Sequence, residues 1–175
     1  MSASAPAGWR RTLLVQLGVG ASVLALDQAT KAVVTAGLAL HDSVAIVPGF
    51  FDLTHVLNTG GVWGVGREAS PIVRTLVFLA LPSLITAFAL WYSLQLPAGE
   101  RVRHVALALL VGGALGNLVD RMRLGHVVDF LLLHWKGRWS WPAFNVADTA
   151  ICIGVGVLLV ASAVDRDDER GSEGG

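Results

Sequence analysis

The chain has 175 residues, of which 54% are hydrophobic and only 15% charged, and its thirteen basic and thirteen acidic side chains cancel. Water-soluble domains carry about 25% charged residues, so there is too little charge here to cover a water-facing surface, and no net charge to draw nucleic acid or an acidic partner. Cys152 is the only cysteine, which excludes an internal disulfide and a cysteine-rich metal site.

A helix that crosses a bilayer needs about 20 mostly apolar residues, because the hydrocarbon core is about 30 Å thick. Four segments qualify: residues 12–36, 71–96 with Pro82 as a kink point, 102–119 and 144–164. Lipid offers no partner to open backbone groups, so each is read as a helix. The first begins at Arg10-Arg11 and is apolar up to Leu26, as a leader peptide would be. Its apolar character resumes after Lys31 and no small-residue cleavage site ends it, so it is read as an uncleaved helix. Residues 41–69 combine β-branched and aromatic side chains around Pro48-Gly49, which predicts short strands joined by a turn. Residues 121–143 carry Trp135, Trp139 and Trp141, a residue type favoured at the membrane–water boundary. The charged, glycine-rich residues 165–175 read as a disordered tail. The expected organisation is a membrane domain over 12–164, flanked by a short N-terminal segment, 1–11, and that tail. An even number of spans puts both termini on one side and both long connections on the other. Arg10, Arg11, Arg101 and Arg103 favour termini in the cytoplasm, a weak signal because Arg67, Arg121, Arg123, Lys136 and Arg138 lie on the far side.

Ionisable groups in apolar helices are costly, and their default reading is a functional site or a buried pair. Asp27 and Lys31 stand four apart in the first span, acid before base, the favourable order for an ion pair. In the third span, Gly112 and Gly116 form a small-xxx-small pattern that admits another helix. Asn117, Asp120 and Arg121 follow on one face. Asp129 comes next, between apolar neighbours that a solvated loop carboxylate would not need. The fourth span opens with Asn145 and Asp148, three apart and facing the same way. Asp148 taken alone also fits a helix-capping role, since a helix N-terminus favours a carboxylate.

Asp129 and Asp148 lie 19 residues apart at the two ends of one connection, on one side of the membrane. Two carboxyl groups in a low-dielectric site cannot both ionise cheaply, so one keeps a proton and the other serves as a base. That pairing suits peptide hydrolysis and needs neither metal nor cofactor. His41, His55, His104, His126 and His134 are scattered, with no His-Glu-x-x-His spacing, and no Gly-x-Ser-x-Gly elbow is present.

The blocks Asp27-Gln28-x-x-Lys31, Asn58-Thr59-Gly60, Gly112-Gly-Ala-Leu-Gly-Asn-Leu-Val-Asp-Arg121, Gly125-His-Val-Val-Asp-Phe130 and Phe144-Asn-Val-Ala-Asp-Thr-Ala-Ile151 resemble, in order and spacing, the signature of lipoprotein signal peptidases (signal peptidase II). The resemblance covers residues 12–164. It implies four transmembrane helices with a small extracytoplasmic β-sheet and a loop or short helix over the site. It also implies an aspartyl endopeptidase of the bacterial inner membrane, active at the extracytoplasmic face. Its substrates would be diacylglyceryl-modified prolipoproteins, cut just before the lipobox cysteine, and its inhibitors globomycin-type peptides. On the matching positions Asp129 and Asp148 become the catalytic pair. Asn58, Gly60, Asn117, Asp120, Arg121 and Asn145 become supporting or substrate-positioning residues, and Asp27 with Lys31 a structural pair nearby. The family commonly continues Asn-x-Gly as Ala-Ala-Phe, whereas here Gly61-Val62-Trp63 follows. The change keeps small-then-aromatic character and makes Trp63 a candidate contact for substrate or membrane lipid.

Three other readings compete. A proton-coupled transporter also carries intramembrane carboxylates, but here they cluster near one interface and not at the midplane. An intramembrane aspartyl protease of the Gly-x-Gly-Asp type lacks its motif, since His126-Val127-Val128 precedes Asp129. A purely structural bundle does not account for paired aspartates at facing helix ends.

Overall fold

The computed structural model describes residues 9–61, 66 and 68–173, with side chains as far as residue 165. Four helices are long and apolar enough to cross a membrane. The first is α1 (Trp9–Gly37). The second runs Pro71–Gln95 and is built from α2 (Pro71–Thr75), a π-helical turn (Leu76–Ala80) and α3 (Leu81–Gln95). Proline has no N–H for the carbonyl four residues back, and its ring crowds that carbonyl. Counting back from Pro82 that residue is Phe78, inside the π-turn, so a widened turn carries the helix past the proline without a break.

The third span, α4 (Arg101–Leu124), packs against the other three. Between helices in lipid the driving force is close van der Waals packing rather than exclusion of water, and glycines on α4 permit it. A Cβ on Gly112 would come within 2.6 Å of the Gly20 carbonyl on α1, and one on Gly113 within 2.4 Å of the Ala147 carbonyl. The fourth span is the apolar part, Val146–Asp165, of α5 (Val146–Glu173). Large apolar side chains such as Leu17, Val33, Leu84 and Leu159 stand outward and exposed, as lipid-facing residues do. At the end of the bundle near Ala98, the Gln16 side chain bonds Ser93 and reaches His104 Nδ1 at 2.8 Å, tying α1, α3 and α4 together.

At the opposite end, β1 (Ser43–Val47), β2 (Phe51–Asn58), β3 (Val127–Trp135) and β4 (Trp139–Ser140) form one antiparallel sheet in that order. The Pro48-Gly49 turn joins β1 to β2, with Gly49 at φ 77°. Strands therefore also fill the second long connection, where the sequence suggested none. The third span likewise runs five residues past the expected residue 119. It stops at Gly125, whose left-handed backbone (φ 76°) returns its N–H to the Arg121 carbonyl at 3.1 Å. The fourth helix continues through Glu173, where the sequence suggested an irregular tail from residue 165; Asp165 pairs with Arg103 on α4.

The register of β2 on β3 sets Val56 opposite Asp129 and Asn58 opposite Val127. A bridge between Leu131 and Phe144 returns the chain to the start of α5. The ends of α4 and β2, the start of β3 and the start of α5 thus meet at one place.

The glycine packing is open to test. Gly113→Ala should lower stability in detergent by about 1–3 kcal/mol, because its new methyl meets backbone that cannot turn aside. Gly18→Ala, with nothing within 4 Å of the added carbon, should not. Thermal or denaturant unfolding of the two purified variants measures the difference.

Candidate active site

The site starts from Lys31, buried in α1. Its ammonium lies 2.8 Å from Asp27 Oδ2, 2.8 Å from Asp120 Oδ2 and 3.0 Å from Asn117 Oδ1, which uses all three of its donors. Asp27 is wholly buried. Its other oxygen accepts from the Ala147 N–H at 3.0 Å, placing a carboxylate at the positive N-terminus of α5. Gly116 has no side chain because Asp27 Oδ2 occupies the space, 2.6 Å from where a Cβ would stand. Asp120 accepts from the Val128 N–H at 3.2 Å and from Gln28 Nε2 at 2.9 Å. One cation thereby ties α1, α4, α5 and β3 together.

Lys31 also decides how Asn117 is turned. The asparagine must offer its oxygen to the ammonium, so its NH2 faces the other way and donates to Asp148 Oδ1 at 2.7 Å. Asn145 holds both aspartates. Its side-chain NH2 donates to Asp129 Oδ1 at 2.7 Å, and its backbone N–H donates to Asp148 Oδ2 at 3.2 Å. Its side-chain oxygen accepts from the Asp148 N–H at 2.9 Å. The last two bonds form a reciprocal cap in the pattern of a capping box, with Asn145 before the helix and Asp148 at its third position. Capping and pairing, which the sequence offered as alternatives for Asp148, are both present.

Asn58, at the end of β2, completes the shell. Its NH2 donates to Asp129 Oδ2 at 2.9 Å, and its oxygen accepts from the Gly60 N–H at 3.0 Å, which fixes the amide's orientation. Asp129 is 2% exposed. Burial, and then the charge of Asp148, push its carboxyl up to about 7, against the bonds from Asn58 and Asn145 and the pull of Lys31. Burial wins because the amide donors are neutral, while the cost of an isolated buried charge is large. Arg121 lies one residue beyond Asp120, with its guanidinium over the Phe78 ring, 5.7 Å from the centroid. Among the described residues it makes no ion pair, although the charges of Asp120, Asp129 and Asp148 act on it through space.

Asp27, Lys31, Asn58, Gly60, Asn117, Asp120, Asp129, Asn145 and Asp148 are thus one connected cluster, with Arg121 at its rim. Trp63, with Val62 and residues 64–65 and 67, lies outside the described residues. Sequence reasoning left Gln28 without a role. It bridges Asp120 to Asp27 Oδ2 (3.2 Å), and its place beside Asp27 on the same buried turn was the available signal. The backbone donors of Val128 and Ala147 left no signal, since any residue type supplies them. Chemically, two carboxyl groups with one raised to about neutrality can share a single proton, one acting as acid and the other as base.

The sequence profile of the family described as Signal peptidase (SPase) II matches residues 19–164. The lipoprotein signal peptidase of Desulforapulum autotrophicum is 47% identical over 141 residues, covering 81% of this chain and 86% of that protein. That of Syntrophotalea carbinolica is 43% identical over 147 residues, covering 84% and 89%. A solved bacterial membrane enzyme is similar in fold with a TM-score of 0.77, 28% identity and coverage of 87% and 90%. A second gives a TM-score of 0.74 at 27% identity, covering 83% and 90%. With four apolar spans, a small sheet at one end and a family match across most of its length, the chain is a multi-pass bacterial membrane protease and belongs to the signal peptidase II family.

Proposed function

We propose that the protein is an aspartyl endopeptidase of the bacterial inner membrane that removes the signal peptide from diacylglyceryl-modified prolipoproteins, cutting just before the lipobox cysteine. The observation that carries this reading is Asn145, one residue that donates from its side chain to Asp129 and from its backbone to Asp148. Asp129, buried and held near neutrality, keeps the proton. Asp148, at the positive end of α5, is the base. Asp148 takes a proton from a water as the water oxygen attacks the scissile carbonyl, and Asp129 gives its proton to the carbonyl oxygen. The tetrahedral intermediate then breaks its C–N bond; the proton on Asp148 goes to the leaving amine, and one hydroxyl of the intermediate returns its proton to Asp129 as the new carboxyl group forms. Asn58, Asn117, Asn145 and Gly60 position the pair. Lys31, Asp27 and Asp120 hold Asn117, and Arg121 and Trp63 contribute to substrate binding. Globomycin-type peptides would compete for this place. Both termini are cytoplasmic, with the sheet and the site on the extracytoplasmic side. The proton-transporter reading gains nothing from a cluster closed by internal hydrogen bonds at one end of the bundle.

Purified protein should cleave a lipid-modified prolipoprotein peptide, with the cut before the modified cysteine located by mass spectrometry. Asp129→Asn or Asp148→Asn should lower kcat by about 10²–10⁴-fold while leaving membrane insertion intact. The double variant should be little worse than either single, since members of one catalytic unit are not additive. A clean single variant that retains near-wild-type turnover would remove the pair from the mechanism.

The pH dependence has a definite sign. The acid form of Asp129 is the working form and its carboxyl stands at about 7, so kcat/KM should fall as pH rises through neutrality. The Asn58 bond favours the charged form of Asp129. Asn58→Ala should therefore lower kcat and also move the alkaline limb to higher pH. A limb that stays in place or moves down contradicts the assignment of the proton to Asp129.

Orientation is tested by cysteines at Ser43 and Ser140, both exposed on the sheet, in a Cys152→Ser background. An impermeant thiol reagent outside spheroplasts should label both. Labelling only after lysis reverses the topology.

A further inference from the structure

A cavity of about 210 Å³ opens between the start of the second span and the end of α4. Among the described residues its wall includes Arg74 and Arg121, the hydroxyl-bearing Thr59 and Thr75, and the apolar Phe78 and Leu79. Thr59 follows Asn58, which holds Asp129, so the cavity wall includes the neighbour of a residue that bonds the pair. The π-turn Leu76–Ala80 shapes this wall and presents the Phe78 ring on which the Arg121 guanidinium rests. Among the described residues neither arginine has an ion-pair partner, and no carboxylate lines the cavity. Two guanidinium groups, each with five N–H donors and no acceptor, therefore line one apolar-backed space, with neither paired to a carboxylate among the described residues. The complementary ligand is rich in acceptors. It need not be an anion, since Asp120, Asp129 and Asp148 already act on Arg121 through space and would oppose a further negative charge close by.

We propose that Arg74, together with Arg121, recognises the ester carbonyls of the acylglyceryl group on the substrate cysteine; this rests on the function proposed above. That group is neutral, carries two ester carbonyls as acceptors, and must sit next to the scissile bond. Arg74 lines the cavity and follows Ile72 and Val73, which are exposed as lipid-facing residues are. The head would lie against the arginines and its acyl chains would leave over these residues into the bilayer. Arg74 is then a specificity residue that reads the modification, while Asp129 and Asp148 do the chemistry.

The experiment compares two peptide substrates that differ only in the glyceryl linkage, one with two acyl esters and one with two alkyl ethers of equal length, which lack the carbonyls. With wild-type protein the ether substrate should show a KM raised about tenfold, with kcat changed much less. Arg74→Gln should raise KM for the ester substrate by a similar factor and leave the ether substrate almost untouched, erasing the difference. Arg74→Lys, which keeps the charge but not the planar fork, should restore the preference only in part. A purely structural role would penalise both substrates equally and lower thermal stability, and that result overturns the proposal. So does equal KM for ester and ether with wild-type protein. Inhibition by inorganic phosphate or by phosphatidylglycerol in mixed micelles, relieved by Arg74→Gln while the two substrates remain equal, would make this an anion site instead. Cleavage of both substrates that is lost in Asp129→Asn but indifferent to the linkage removes only the Arg74 assignment. Failure to cleave either one removes the underlying function as well.

Discussion

A lysine ammonium taken out of water inside a membrane helix costs several kcal/mol unless its donors are met. Lys31 meets that cost with Asp27, Asp120 and Asn117, at 2.8, 2.8 and 3.0 Å. The three partners lie on α1 and α4, and the two carboxylates extend the tie through backbone N–H groups to Ala147 on α5 and Val128 on β3. Every element that contributes to the aspartate pair is thereby registered against one buried cation. The same contact sets the rotation of the Asn117 amide, and so which of its ends faces Asp148. Burial of Asp129 and the charge of Asp148 favour one shared proton over two ionised aspartates, against the pull of the Lys31 ammonium.

The packing follows from this arrangement. Close approach of α1 to α4 needs glycine at Gly112 and Gly116, the latter because Asp27 fills the space. Approach of α5 needs glycine at Gly113, because the Ala147 carbonyl lies there. The small-residue run on the third span is thus the steric counterpart of the polar cluster, and neither could be altered alone. Asp148 illustrates the same economy. As the third residue of α5 it caps the helix with Asn145, and as one of the pair it faces Asp129. The helix cap therefore holds the Asp148 rotamer.

Much of this was legible in the residues. Length and hydropathy place four spans, and the four-residue spacing of Asp27 and Lys31 identifies their pairing. The shared face of Asn117, Asp120 and Arg121 points to the polar end of α4. The third strand was not legible. Val127 to Trp135 is a nearly continuous apolar run, and in such a run strand and helix cannot be told apart by period. Only pairing with β2 decides it, and that contact is distant in sequence. The end of α4 was obscured because Asp120 and Arg121 look like the polar edge of a span, whereas the fold pairs Asp120 internally and the helix runs on to a glycine cap. The role of Asn58 as a direct donor to Asp129 depends on the β2–β3 register, which no local pattern encodes.

The central claim is that this network poises the pair with one proton, residing on Asp129. Infrared difference titration of protein labelled with ¹³C at the aspartate carboxyl groups tests it most directly. The account predicts one protonated carboxyl band that is present on the acid side of neutrality, disappears as pH rises through about 7, and is missing in Asp129→Asn. Two ionised aspartates across the whole range, or a protonated band that survives Asp129→Asn unchanged, would contradict it.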